Sequence, residues 1–277
     1  MQSFKMKSGY EIPQLGFGTW ELTGSNCRKA IPVALDIGYT HIDTAAMYGN
    51  EKEIGAGLKD AGADRSKLFI TSKVPYRRLH HDQVIGQCEQ SLRDIGTDYF
   101  DLYLIHWPNS SVPMDETFDA MAELVEQGKV RSIGVSNFTV AHLKEAQKAS
   151  SIPISVNQVE FHPMLNQEDL LRYCKENKIV MTGYSPLAHG YIFENAVLAS
   201  IAQKSGKTVA QVSIRWVLQK GMVTIPKATS ETHIRQNFEA LSFWLSDESM
   251  EALNTMGQQK RVVNPEWAEF DKEYARV

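Results

Sequence analysis

The sequence predicts a closed (β/α)8 barrel preceded by a short β-hairpin, and three observations lead there. Eight short apolar runs recur along 277 residues, segments of helical pattern separate them, and the runs are apolar nearly throughout. Strands buried on both faces lose the polar alternation of a half-exposed sheet, which marks a parallel sheet covered by helices. The length suits one barrel of ~250 residues with small additions, so residues 1–277 are read as a single domain.

Each element follows in order. The opening segment FKMKSGYEIP turns at Ser8-Gly9 and reads as the hairpin. The eight strand runs are QLGFGT, THIDT, LFITSKV, FDLYLIHW, VRSIGVSN, ISVNQVEF, IVMTGYS and MVTIP. Helical segments between them include NEKEIGAGLKDAG, DQVIGQCEQSLRDIG, the stretch beginning at Asp115, VAHLKEAQKAS, QEDLLRYCKENK and VAQVSIRWVLQKG. Several end in glycine or a basic residue, as helix C-termini do. A doubly wound open sheet is the competing architecture, but it wants a glycine-rich phosphate turn after the first strand. GFGT supplies only a GxG and GAGLKDAG sits in a helical pattern, so both read as packing glycines.

Composition excludes several classes. A net charge of −4 with interspersed signs leaves no basic footprint for nucleic acid and no reason to expect a membrane-surface partner. Cys27, Cys88 and Cys174 are scattered, with neither CxxC nor metal-ligand spacing. That favours free thiols in a reducing compartment. The N-terminal residues lack a signal-peptide apolar core and no run approaches a membrane span, so a cytoplasmic, monomeric protein is expected, with the sequon at Asn109 incidental. His80-His81-Asp82 lacks third and fourth ligands at sensible spacing and reads as a surface cluster at a helix start; no metal is expected.

In such a barrel, chemistry gathers at the C-terminal ends of strands. Asp43 follows HI, Tyr48 lies in the loop beyond it, Lys73 ends LFITSK and His106 ends LYLIH. Singly these could be a cap, a half-buried aromatic, a snorkelling cation and a core histidine. Together, on strands two, three and four, they suggest more. A lysine ending an apolar strand needs a carboxylate to keep its charge, and Asp43 next door can supply it. A cation beside a phenol lowers its pKa and makes Tyr48 a proton donor to an oxygen gaining negative charge, which His106 can hydrogen-bond. That is the chemistry of carbonyl reduction, and its hydride must come from a cofactor.

Those residues carry a family resemblance. GFGTW, HIDTAAMYGNE, SK, LIHWP, GVSNF, NQVEFHP, YSPL, IPKATS and IRQNF occur in the order seen in the aldo-keto reductases, over nearly the whole chain. The resemblance implies that Tyr48 is the general acid, tuned by Lys73 and Asp43, and that His106 positions the carbonyl. It implies that Ser136, Asn137 and Gln158 hold a nicotinamide carboxamide and that Tyr184 stacks on the ring. Ser185 and Leu187 would line the pyrophosphate path, with Thr19 and Trp20 near the nicotinamide and Asn237 of IRQNF also on the cofactor.

Lys227, ahead of a helix start at Thr229 or Ser230, suits the 2′-phosphate of NADPH. An arginine common in the family six residues after this lysine is replaced by His233, and the usual serine by Ala228. A mostly neutral imidazole without the guanidinium fork grips a phosphate less firmly, so NADPH is expected with NADH tolerated. Trp20 and Trp107, with Tyr48 and His106, are expected to wall the substrate pocket, bordered by Val74, Tyr76 and Pro108. Short segments after His106 and Tyr184 and a compact polar tail, NPEWAEFDKEYARV, predict an open mouth. The pattern is similar to the bacterial branch of 2,5-diketo-D-gluconic acid and methylglyoxal reductases, implying small aldehydes, dicarbonyls or keto sugars. A non-catalytic cofactor-sensing or structural member of the fold is the rival reading, and a metal-dependent or phosphate-sugar barrel enzyme a weaker third.

Overall fold

A computed structural model describes residues 2–257 and 259–270. Strands β1 (Ser3–Lys5) and β2 (Glu11–Pro13) form the antiparallel hairpin. Gly9, at φ +93°, makes its turn possible. Eight parallel strands follow: β3 (Phe17–Gly18), β4 (His41–Asp43), β5 (Phe69–Val74), β6 (Leu102–Ile105), β7 (Ile133–Ser136), β8 (Ile154–Glu160), β9 (Val180–Tyr184) and β10 (Val223–Thr224). They pair in chain order. The two ends of the sheet then meet, since Gly16 N donates to Thr224 O at 2.9 Å and Thr224 N to Gln14 O at 3.1 Å. Each of the eight apolar runs supplies one strand.

Gly16 and Gly18 of GFGT and Gly55 and Gly57 of GAGLKDAG serve packing, as expected, whereas Gly62, with φ +59° and open space around it, serves the turn after that helical segment. A Cβ on Gly18 would overlap the Ile225 carbonyl across the closing seam, and one on Gly55 would overlap the Ile95 carbonyl of a neighbouring helix. Every residue of β5 and β8 is buried.

Helices α1 (Gly24–Ile37), α2 (Glu51–Asp60), α3 (His81–Ile95), α4 (Met114–Glu126), α5 (Val140–Ala149), α6 (Glu168–Glu176), α7 (Ala196–Ser205), α8 (Val209–Gln219), α9 (Glu231–Phe238) and α10 (Asp247–Asn254) surround the barrel. Local chemistry sets their ends. Thr139 and Thr208 form capping boxes with His142 and Gln211 at the starts of α5 and α8, and left-handed Gly38, Gly96 and Gly206 stop α1, α3 and α7. No helix of the described residues is long and apolar enough to cross a membrane.

Strand alternation builds the interior in layers. Along β5, Phe69 joins Leu102, Leu104, Val156, Val223 and the hairpin residues Met6 and Ile12 in an apolar plug at the N-terminal end of the barrel. Two residues on, Thr71 Oγ1 lies 3.0 Å from His41 Nε2. Two further, Lys73 stands at the opposite end. Ser72 points the other way and donates to Glu51 of α2 at 2.7 Å. Polar residues at every second position therefore converge at one end of a barrel whose other end is sealed.

Candidate active site

Lys73 and Asp43 form the floor of the site. The Lys73 ammonium, fully buried, donates to Asp43 Oδ1 at 2.6 Å, to Thr44 O at 2.8 Å and to Tyr48 Oη at 3.3 Å. Gln158 Nε2 reaches the other carboxylate oxygen at 2.7 Å. A buried ion pair is tolerable when further hydrogen bonds satisfy both partners, and here they do. Burial alone would pull the Lys73 pKa down, but Asp43 and the Tyr48 oxygen outweigh it and hold it above its ordinary value.

Tyr48 arrives on a single 3-10 turn, Ala46–Tyr48, ended by left-handed Gly49. Asn50, fully buried, fixes this loop: its side-chain amide donates to Thr19 O and Leu22 O and accepts from Thr44 Oγ1. The loops carrying Tyr48 and Trp20 are thereby tied together. The Tyr48 ring meets the His106 ring edge-on, centroids 5.6 Å apart.

One expectation is corrected. The Tyr48 phenol is held above its ordinary pKa, not below, because burial outweighs the pull of Lys73 and the Asp43 carboxylate adds to it. The phenol therefore stays protonated at neutral pH, and Lys73 acts on the phenolate if one forms. Burial, with the Lys73 charge beside it, pushes His106 well below the ordinary histidine value. The ring is neutral, and its buried Nδ1 has no hydrogen-bond partner among the described residues, so contact with a ligand falls to Nε2.

Across the cavity, Ser136, Asn137, Gln158 and Tyr184 form a second group. Tyr184 Oη donates to Asn137 Oδ1 at 2.7 Å, and Asn137 Nδ2 donates to His106 O at 3.0 Å and Ser136 Oγ at 3.1 Å. Asn137 and Ser185 hold left-handed backbone, at φ +65° and +47°, a strain concentrated where strands end in function. Because the Asp43 carboxylate only accepts, Gln158 must turn its amide nitrogen to it, which leaves its carbonyl as an acceptor. That carbonyl suits the NH2 end of a carboxamide, with the Ser136 hydroxyl, which donates to the backbone Gln158 O at 2.8 Å, and the Asn137 amide beside it, and the Tyr184 ring offers a face for a planar heterocycle.

The cavity between the groups has a volume of about 580 Å³. Thr19, Trp20, Asp43, Tyr48, His106, Trp107, Ser136, Asn137, Gln158, Tyr184, Ser185, Leu187 and Lys227 all line it. Trp20 stacks on His189, centroids 5.1 Å apart. Thr229, Ser230 and His233 lie outside the lining and are exposed, at the start of α9, where Ser230 Oγ accepts from His233 N. Asn237 is buried in α9.

Three expected borders do not line the cavity. Val74 is buried against the helices, Pro108 is buried, and Tyr76 stacks on Trp267 with centroids 4.1 Å apart. Nor is the mouth open on this side. Trp267 also packs edge-on against Trp107, and Val263 is part of the cavity wall. The tail contributes a wall, although its residues 271–277 lie outside the described chain. Met47, Phe193 and Val263 were missed as lining residues because loops, not strand ends, deliver them. His80 and His81 engage Glu116 and Glu123 of α4.

Residues 14–257 match the Aldo/keto reductase family. The glyoxal reductase of Bacillus subtilis (strain 168) is 43% identical over 93% of this chain and 94% of its own length. A glycerol 2-dehydrogenase (NADP(+)) of Saccharomyces cerevisiae is 36% identical, covering 96% of this chain and 95% of that protein. Among solved structures, an aldo-keto reductase from a Medee basin deep-sea metagenome library superposes with a TM-score of 0.90 at 38% identity, over 95% of this chain and 97% of that one. Enzymes of this family work with nicotinamide cofactors, and the Gln158 carbonyl offers an acceptor for the carboxamide NH2 of one. The chain belongs to the aldo/keto reductase family and is an oxidoreductase acting on carbonyls.

Proposed function

We propose that this single-domain enzyme reduces small, uncharged aldehydes and dicarbonyls with NADPH, Tyr48 being the proton donor. The observation that carries the reading is the Lys73 ammonium bridging Asp43 and the Tyr48 hydroxyl at the floor of the cavity. The bound nicotinamide supplies the hydride, which no side chain can. Ser136, Asn137 and Gln158 hold its carboxamide, and Tyr184 lies against the ring. Neutral His106 offers an Nε2–H to the carbonyl oxygen and orients it. Tyr48 delivers the proton as charge builds there, and Lys73 stabilises the phenolate left behind. Asp43 keeps Lys73 charged.

Lining chemistry supports the substrate class. Trp20, Met47, Trp107, Phe193 and Val263 share the lining with Tyr48, and Lys227 is the one lysine or arginine among the described lining residues. It adjoins Ile225 and Pro226 at the barrel seam, on the side given to the cofactor phosphates in this reading. A dicarbonyl needs no cation, which suits an aromatic and apolar lining. The name of the glyoxal reductase relative agrees with this choice. The three buried free cysteines suit a reducing, cytoplasmic setting.

A panel of glyoxal, methylglyoxal, a nitrobenzaldehyde and a keto sugar acid, followed by loss of reduced-nicotinamide absorbance, tests the reading. No turnover despite tight NADPH binding would return the weight to a cofactor-sensing role. Run with both cofactors, the assay should show NADPH preferred with measurable NADH use. A preference above about a thousandfold, ~4 kcal/mol, would contradict the weak grip assigned to His233.

The pH profile is a further check. His106 is already neutral well below pH 6.5, so kcat/KM should stay flat as pH falls through that region. A limb centred near the ordinary histidine value and removed by His106→Gln would show that the imidazolium, not the imidazole, is the working form.

A further inference from the structure

Glu160 ends β8, two residues beyond Gln158 and on the same side of the strand by alternation. It is fully buried, yet no step above uses it. Three donors converge on its carboxylate: Val262 N at 2.8 Å and His162 Nε2 at 2.8 Å on Oε1, and Val263 N at 2.8 Å on Oε2. His162 is fully buried as well. Neighbouring contacts hold the same stretch of tail: Lys260 N donates to Met164 O at 2.7 Å, and Arg261 reaches Gln167, whose own side chain donates to the Glu160 carbonyl at 2.6 Å. Lys260 also lies over the Tyr191 ring, 3.1 Å from its centroid, which joins the tail to the loop after β9.

A carboxylate sealed from water is costly unless it is fully hydrogen-bonded. This one is satisfied largely by two backbone amides from a segment about a hundred residues away, one of which belongs to a residue of the cavity wall. We infer that Glu160 is a positioning residue for the substrate: it latches residues 260–263 in place and so sets the wall against which a small carbonyl is held near Tyr48 and His106. The inference rests on the reading of the cavity as the carbonyl site.

Glu160→Gln is nearly isosteric, but it offers one acceptor oxygen and turns an NH2 group toward a backbone N–H. Val262→Pro removes one donor from the tail, changes no side chain of the cavity lining and leaves the barrel strand untouched, which keeps the test alive if the first variant folds poorly. Two readouts are needed. Amide hydrogen exchange should accelerate in the segment holding Val262 and Val263. KM for a small dicarbonyl should rise about tenfold or more, with kcat within about threefold and NADPH affinity within about twofold of wild type.

Unchanged exchange would overturn the latch, and faster exchange with unchanged KM would overturn its role in substrate binding. Parallel loss of NADPH affinity would do the same, because it would mean that Glu160 supports Gln158 and the cofactor side. Failure of the wild-type enzyme to turn over any carbonyl is a different result. It would defeat the substrate reading, while the exchange rates still decide whether Glu160 seats the tail.

Discussion

Tyr48→Phe lowers kcat for carbonyl reduction by about 10²–10⁴-fold while NADPH affinity stays within about twofold. The phenylalanine keeps the ring that packs against His106 and faces the Lys73 ammonium, whose nitrogen is 5.0 Å from the ring centroid. Lys73 retains Asp43 and the Thr44 carbonyl. Only the hydroxyl is lost, so the fold and the cofactor side are spared and the deficit falls on proton delivery. Steady-state kinetics with methylglyoxal and a fluorescence titration with NADPH measure the two quantities. Equal damage to both would mean that Tyr48 holds the cofactor instead of donating the proton.

Lys73→Met should abolish reduction and also lower the unfolding free energy by about 3–5 kcal/mol, because it leaves the buried Asp43 carboxylate without its cation. Adding Asp43→Asn should recover much of that stability and none of the activity, a pattern that separates a structural pair from a chemical one. The pH dependence has a definite sign. Since the folded Lys73 pKa is raised, its stabilisation is complete below the unfolded value of about 10.4 and fades only as pH climbs through the higher folded value. The Lys73 contribution is therefore constant across neutral pH and is lost only in strong alkali, whereas on the acid side the variant's unpaired Asp43 carboxylate takes up a proton and narrows the gap. Urea unfolding at pH 7 and in the alkaline range measures this, and a gap that closes between pH 7 and about pH 9 would refute the assignment.

Much of this molecule can be read from its sequence, and the legible parts share a cause. The strands are short, buried on both faces and locally coded, so runs such as LFITSKV and ISVNQVEF announce themselves. Asp43, Lys73 and His106 stand out because they interrupt or end such runs. Helix α1 is quieter: Gly24, Ser25 and Asn26 are poor helix formers and Pro32 sits in its interior. The Tyr48 pKa was misjudged because a neighbouring cation can be inferred from adjacent strands, whereas the depth of burial depends on packing that only the folded chain reveals. The tail wall is the extreme case. Nothing near Val263 points to Glu160, although the even spacing of Val156, Gln158 and Glu160 along β8 could have placed that carboxylate on the interior side.

The closing seam has a consequence for how the chain is made. Gly16 and Gly18 are hydrogen-bonded to Thr224 and Pro226, partners encoded roughly two hundred residues later. At ribosomal speeds of about 5–20 residues per second, the β3 edge waits on the order of 10–40 s before its neighbour exists. Until then the nascent sheet has two open edges, each a template for pairing with another chain. Such long-range pairing also makes for slow folding. β3 is only two residues long and one of them is a glycine, so the edge exposed for longest during synthesis is also the one least able to recruit a stranger.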